Sequence, residues 1–212
     1  MKEAGLFEAM YSQRSFTRFR RDPVPREAID KIIEAATKAP SGGNTQPWEF
    51  IVMTDPEVIA KVGGIYRDVW LSARGTQPPP DEPPAYQAAR YLANHMPAAP
   101  ALILVCVDHT KGSAPYTPGQ PIERGRYASS IWTAVQNLFL AARALGLGTR
   151  LTTAHLRGEQ QIKEVLGIPD HLETVVLTPL GYPRGRFGPP NRRPAAEVTS
   201  YNWYGNRYGN RG

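Results

Sequence analysis

Apolar positions along this 212-residue chain switch repeatedly between helical and strand spacing. Leu6, Phe7, Met10 and Tyr11 recur three and four apart, which predicts a short first helix. A basic, irregular stretch follows from Arg14. Pro25 then opens a stronger helix, with Ile29, Ile32, Ile33 and Ala36 on one face. Pro40 ends it, and Ser41-Gly42-Gly43-Asn44 reads as a loop. Residues 48–53 read as a strand. Asp55-Pro56-Glu57 combines a capping oxygen, a first-turn proline and an acid near the positive helix end. The helix it starts runs through Ile59, Val62, Ile65 and Tyr66 towards Trp70, weakened in its middle by Gly63-Gly64.

Residues 75–84, Gly-Thr-Gln-Pro-Pro-Pro-Asp-Glu-Pro-Pro, exclude both helix and central strand. A plain surface loop and a flap over a pocket, spanning about 74–85, both fit the composition. A short helix is expected over 86–96. The unbroken apolar run 101–108 predicts a strand buried on both faces, and 110–123 is a second Pro/Gly-rich loop. The longest helix is expected over 127–145, with Ile131, Val135, Leu138, Phe139 and Ala142 as its buried stripe and Gly146 as its stop. A short strand at 151–153, a helix at 159–166 closed by Gly167 and Pro169, and a strand at 172–177 ended by Pro179 complete the pattern. Three or four strands covered by several helices make an α+β layered domain, a single domain over 1–212. No Gly-x-Gly-x-x-Gly follows a strand, and no Walker-type loop occurs.

Composition narrows the function classes. The single cysteine, Cys106, excludes an intrachain disulfide and a cysteine-based metal site, and its apolar neighbours mark it as a small buried hydrophobe. Apolar runs stay far below the roughly 20 residues of a membrane span, and the first residues lack a signal core. No membrane association and a cytoplasmic location are the resulting expectations. The net charge of +6 is concentrated: from residue 184 onward six Arg stand against one Glu. Such an arginine cluster suits a phosphate-bearing small ligand. Nucleic acid is not the expected partner, because aromatic residues do not interleave with the basic run as in a recognisable module.

Three polar clusters carry the chemistry. Arg14-Ser15-Phe16-Thr17-Arg18-Phe19 offers guanidinium groups for phosphate or a delocalised anion; if the segment is helical, Arg14 and Arg18 share a face. Ser41-Gly42-Gly43-Asn44-Thr45-Gln46, between a firm helix and a firm strand, presents amide donors and acceptors that match the pyrimidine edge of a flavin. Arg192-Arg193-Pro194 follows Gly181-Tyr182-Pro183. The four histidines, His95, His109, His155 and His171, are scattered, which predicts surface or capping roles for each.

The stretch Pro40-Ser41-Gly42-Gly43-Asn44-Thr45-Gln46-Pro47-Trp48-Glu49-Phe50 strongly resembles the signature loop of the nitroreductase family. Supporting likenesses are Gln13 to Phe19, with the helix after it, Ala144-Leu145-Gly146-Leu147-Gly148-Thr149, Gly181-Tyr182-Pro183 and Arg192-Arg193-Pro194. The resemblance implies a central, mostly antiparallel sheet flanked by helices in an intertwined homodimer, with a tail over about 184–212 that embraces the partner. It implies FMN as cofactor and NADH or NADPH as electron donor, with a nitroarene, quinone or enone as small-molecule acceptor in a ping-pong cycle. Arg14, Ser15, Ser41, Gly42, Asn44 and Gln46 would bind the flavin's polar parts; Thr152 and Thr153 would line its ring. Arg192 would take the phosphate, assisted by Arg193. The flavin carries the chemistry, so no protein side chain is expected to be catalytic and no metal is needed. Two departures stand out: Gln13 and Thr17 occupy positions where many members carry bases, and Arg18 is the candidate replacement for the second. Substrate choice is assigned to residues 66–96 and 109–127, where Tyr86, Tyr91 and Tyr116 are candidate stacking surfaces and Trp70 is more suited to the core. An FMN-storing or sensing protein without turnover and a dehalogenase-like relative are the alternatives.

Overall fold

In the computed structural model, residues 3–111 and 116–207 are described. Helices α1 (Leu6–Ser12) and α2 (Arg26–Thr37) precede strand β1 (Trp48–Met53), helix α3 (Pro56–Arg74), helix α4 (Pro84–His95) and strand β2 (Ala101–Asp108). Helix α5 (Ala128–Ala144), strand β3 (Gly148–Thr149), helix α6 (Glu159–Leu166), strand β4 (Leu172–Gly181) and a single turn, α7 (Ala195–Val198), complete the order. The strands form one antiparallel sheet in the order β1-β2-β4-β3, so β1 and β3 are its edges. Every residue of β2 is buried. Strand alternation explains this: Ile103, Val105 and Val107 pack towards α2 and α5, whereas Leu102, Leu104 and Cys106 pack towards α3, α4 and α6. Burial pushes the Cys106 thiol pKa up to about 12, as befits a core residue.

Local signals set several element ends as expected. Asp55 caps α3 by accepting from the Glu57 N–H at 2.8 Å, and Gly167 adopts φ 65° after α6. Other expectations need correction. The longest helix is α3, with 19 residues against 17 in α5. The sequence underestimated it because Gly63-Gly64 lowers helix propensity. Gly63 is nevertheless required there: a Cβ would lie 2.6 Å from the backbone of Met96 and Pro97, where the chain packs directly on the helix. The strand expected at 151–153 sits instead at Gly148–Thr149, and only Thr152 adds an isolated bridge to Leu177.

Strand β4 also runs past the expected stop to Gly181, with Pro179 opposite Leu102. The Leu177 N–H points to the Thr152 carbonyl. By alternation Pro179 faces the same side two residues on. On that side β3 ends at Thr149, opposite Leu180, so no strand residue is paired with Pro179 and the ladder asks for no donor from it.

Candidate functional site

The segment 14–19 is extended rather than helical, so the helical spacing on which the Arg14–Arg18 reading was conditional is absent. Ser15 bridges Thr149 and Phe19 bridges Pro183. The Phe16 N–H donates to the Thr149 carbonyl at 3.0 Å and the Arg20 N–H to the Tyr182 carbonyl at 2.8 Å. Gly148 makes this approach feasible, since a Cβ would stand 2.9 Å from the Phe16 ring. Phe16 meets Phe187 edge-on with centroids 5.0 Å apart, which ties the chain after β4 to the same place. Arg14 and Ser15 are exposed beside β3, and Arg14 has no ion pair among the described residues. The Arg18 guanidinium lies 3.7 Å over the Tyr91 ring of α4.

The loop after α2 is built from unusual backbone. Gly43, Asn44 and Gln46 have φ of 58°, 55° and 48°, the last two in a region non-glycine residues seldom occupy. Two backbone bonds, Asn44 N–H to the Ser41 carbonyl and Thr45 N–H to the Gly42 carbonyl, and three bonds that involve side chains hold them there. The Gly42 N–H donates to Ser130 Oγ at 3.2 Å, Thr133 Oγ1 donates to the Pro40 carbonyl at 3.2 Å, and the Gln46 N–H donates to Ser41 Oγ at 3.0 Å. Gln46 Nε2 donates to Asn44 Oδ1 at 3.3 Å, leaving Asn44 Nδ2 as donor and Gln46 Oε1 as acceptor. No Cβ at Gly42 would meet an atom within 4 Å, so a ligand can approach that backbone. Thr45 Oγ1 is buried without a hydrogen-bond partner. Sequence reasoning passed over Thr45, and nothing in its type or spacing would have marked it.

Thr152 and Thr153 follow the β3 edge. The Thr152 hydroxyl is committed to the Leu177 carbonyl; Thr153 is exposed at the start of the turn Ala154–Gly158. Arg150 was missed: it is partly buried next to this segment with no ion pair among the described residues, and burial pushes its pKa down. An arginine inside the otherwise small and apolar run 146–152 was the available signal. Arg192 and Arg193 are exposed, and the Arg192 guanidinium donates to the Asn191 carbonyl at 2.8 Å. Within one chain, then, Ser15 and β3 are brought together, with Thr152 and Thr153 following. No hydrogen bond or ion pair among the described residues joins the Ser41–Gln46 loop to Arg14, Arg192 or Arg193.

Two histidines correct the expectation of surface roles. His109 is buried and its Nε2 lies 2.9 Å from Glu173 Oε2. His155 is completely buried, and neither ring nitrogen has a partner. The Pro-rich segment 75–84 is tied down rather than loose: Arg90 forks onto Glu82 at 2.6–3.1 Å and donates to the Gly75 carbonyl. Arg90 in turn lies 5.0 Å over Trp70, which is core as expected. No group of three or more His, Cys, Asp and Glu among the described residues could hold a metal ion, and none of their helices is long and apolar enough to cross a membrane.

The chain belongs to the nitroreductase family, whose sequence pattern matches residues 11–182. It is 30% identical over 198 residues to iodotyrosine deiodinase 1 of Rattus norvegicus, covering 91% of this chain and 67% of the relative. It is 26% identical over 216 residues to the NADH dehydrogenase of Thermus thermophilus, covering 90% and 93%. The fold is shared with the NADPH:FMN oxidoreductase of Vibrio harveyi, solved in complex with NAD+, at a TM-score of 0.69 and 23% identity over 94% of this chain and 77% of that one.

Proposed function

We propose that this protein is an FMN-dependent oxidoreductase that carries electrons from NADH or NADPH to a small aromatic or conjugated acceptor, a nitroarene, quinone or enone, in a ping-pong cycle. The observation that carries the reading is the Ser41–Gln46 loop. Its strained backbone is fixed in advance, and it offers one free amide donor beside one free acceptor, with an orphaned hydroxyl close by. The pyrimidine edge of a flavin wants that pattern. The residues fit FMN elsewhere too: Arg14 with Ser15, and Arg192 with Arg193, supply the cations and hydroxyl that a phosphate and ribityl chain need, while Thr152 and Thr153 would line the ring. Bound FMN supplies the hydride chemistry; the chain positions it, excludes water and offers charge.

A homodimer completes this proposal. The loop 41–46 is anchored on α5, whereas Arg14 and Ser15 are anchored on β3, so a second copy is the simplest way to unite them. Helix α1 buries only Ala9 and leaves Leu6, Phe7, Met10 and Tyr11 between 45% and 65% exposed. A groove of about 460 Å³ beside the open edge strand β1, walled by Ile29, Ile33, Phe50 and Val52, suits the partner's tail, in which Trp203 and Tyr204 are exposed. A dehalogenase-like reading with a halophenol acceptor has a specific basis in the relative from Rattus norvegicus.

Purified protein should absorb near ~450 nm and bleach when NADH or NADPH is added without oxygen, because the reporter is the flavin itself. Colour that neither donor bleaches would turn the reading into storage or sensing; a colourless protein that takes up no FMN would end it. Reoxidation rates with a nitroarene, a quinone and a halophenol then rank the acceptors. Arg192→Ala should weaken FMN retention by about 1.5–3 kcal/mol through loss of a charged phosphate bond, measured as the dissociation constant of FMN. An unchanged constant removes Arg192 from the site.

A further inference from the structure

Arg18 enters a cleft that the flavin assignment leaves unused. The cleft, of about 560 Å³, lies between α4 and the Pro-rich segment and is lined by Arg18, Tyr91, Asn94 and His95 on one side and Pro78–Pro80 on the other. Tyr91 is stacked on both faces: the Arg18 guanidinium lies 3.7 Å from its centroid, and the His95 ring is 3.9 Å away and tilted by 14°. The imidazole is oriented by its Nδ1–H, which donates to the Tyr91 carbonyl at 2.7 Å and leaves Nε2 uncommitted. The contact with the Tyr91 face holds the guanidinium without using its N–H groups, and Arg18 has no carboxylate partner among the described residues. The one carboxylate lining the cleft, Glu82, is already neutralised by the fork from Arg90, which holds its pKa below the usual carboxylate range. The wall opposite is three successive prolines, rigid and apolar.

We infer that this cleft selects electron acceptors that carry a carboxylate on a flat ring: Arg18 takes the carboxylate through its free N–H edge, Asn94 and His95 flank it, and the ring rests on Pro78–Pro80. Arg18 is on this view a specificity residue and not the replacement for the base absent at Thr17. The extended backbone of 15–19 supports the separation, because neighbouring side chains of an extended segment point to opposite sides. The inference deepens the proposed function and rests on it for the word acceptor, but the binding itself does not.

The test compares 4-nitrobenzoate with 4-nitrobenzamide, which differ in charge and hardly in shape. Calorimetric binding to the FMN-loaded protein should favour the carboxylate by about tenfold or more, the order expected for one charge-assisted contact. The preference should vanish in Arg18→Ala and shrink in Arg18→Lys, which keeps the charge but loses the planar stack. Tyr91→Leu should reduce it as well. In turnover the loss should fall on KM for the carboxylate alone. Equal binding of the two ligands overturns the inference, as does a preference that survives Arg18→Ala. A shifted flavin reduction potential in Arg18→Ala, with carboxylate selectivity intact, overturns it in favour of a ring-facing Arg18. Failure of NADH and NADPH to bleach the flavin sinks the proposed function instead, while carboxylate-selective binding would still identify the cleft.

Discussion

Lowering the pH from about 7.5 to about 4 should cost the native protein on the order of 3 kcal/mol through His155 alone. This histidine is fully buried, its two ring nitrogens have no partner, and burial brings its pKa down to about 4 from the ordinary 6.5. Glu159 opposes the shift and Arg124 adds to it, both more weakly than burial. Between these two values the unfolded chain binds a proton that the native state refuses. Stability therefore rises with pH across the window; the contribution is complete above about 6.5 and gone below about 4. Urea unfolding at a series of pH values measures it. His155→Leu should flatten the slope between pH 6.5 and 4 and leave stability near pH 7.5 equal or higher, since no hydrogen bond is lost. Glu159, whose pKa is lowered because hydrogen bonds from Thr174 and the charge of Arg124 outweigh its burial, titrates in wild type and variant alike. The difference between the two proteins isolates His155. An identical slope in the variant would show that the imidazole is protonated or solvated in the native state.

Gly63→Ala is the second large effect. The added methyl would overlap the Met96–Pro97 backbone at 2.6–2.7 Å, and backbone cannot rotate aside as a side chain can. A loss of about 3 kcal/mol is expected, at the upper end for overpacking. Gly64 is the internal control: a Cβ there meets nothing within 4 Å, so Gly64→Ala should stabilise α3 by roughly 0.5–1 kcal/mol through helix propensity. Denaturant midpoints with unchanged m-values would read both. If both substitutions stabilise, α3 and the Met96–Ala98 turn do not touch through the backbone as described.

Much of this molecule was legible because its determinants are local. The strand Trp48–Met53, the caps of α3 and α6 and the doubly buried β2 follow from periodicity and from residues within one turn of each boundary. The chemistry of the Ser41–Gln46 loop was likewise visible, since Asn and Gln amides advertise donors and acceptors wherever they sit. Sequence also located the arginines. It did not say where their guanidinium groups point. Arg18 was grouped with Arg14 by proximity, yet Tyr91, 73 residues further on, decides its direction.

The sequence by itself thus determined most of the helices and strands, which faces are apolar, and which polar groups are available. Only the tertiary structure decided the passage of β4 through Pro179, the close packing that makes Gly63 necessary, the pinning of the Pro-rich segment by Arg90, and the burial of His155. The physical reason is common to all four. Backbone conformation and hydrophobic periodicity are set by neighbours along the chain, whereas desolvation, hydrogen-bond partnership and steric exclusion depend on atoms that folding brings from far away.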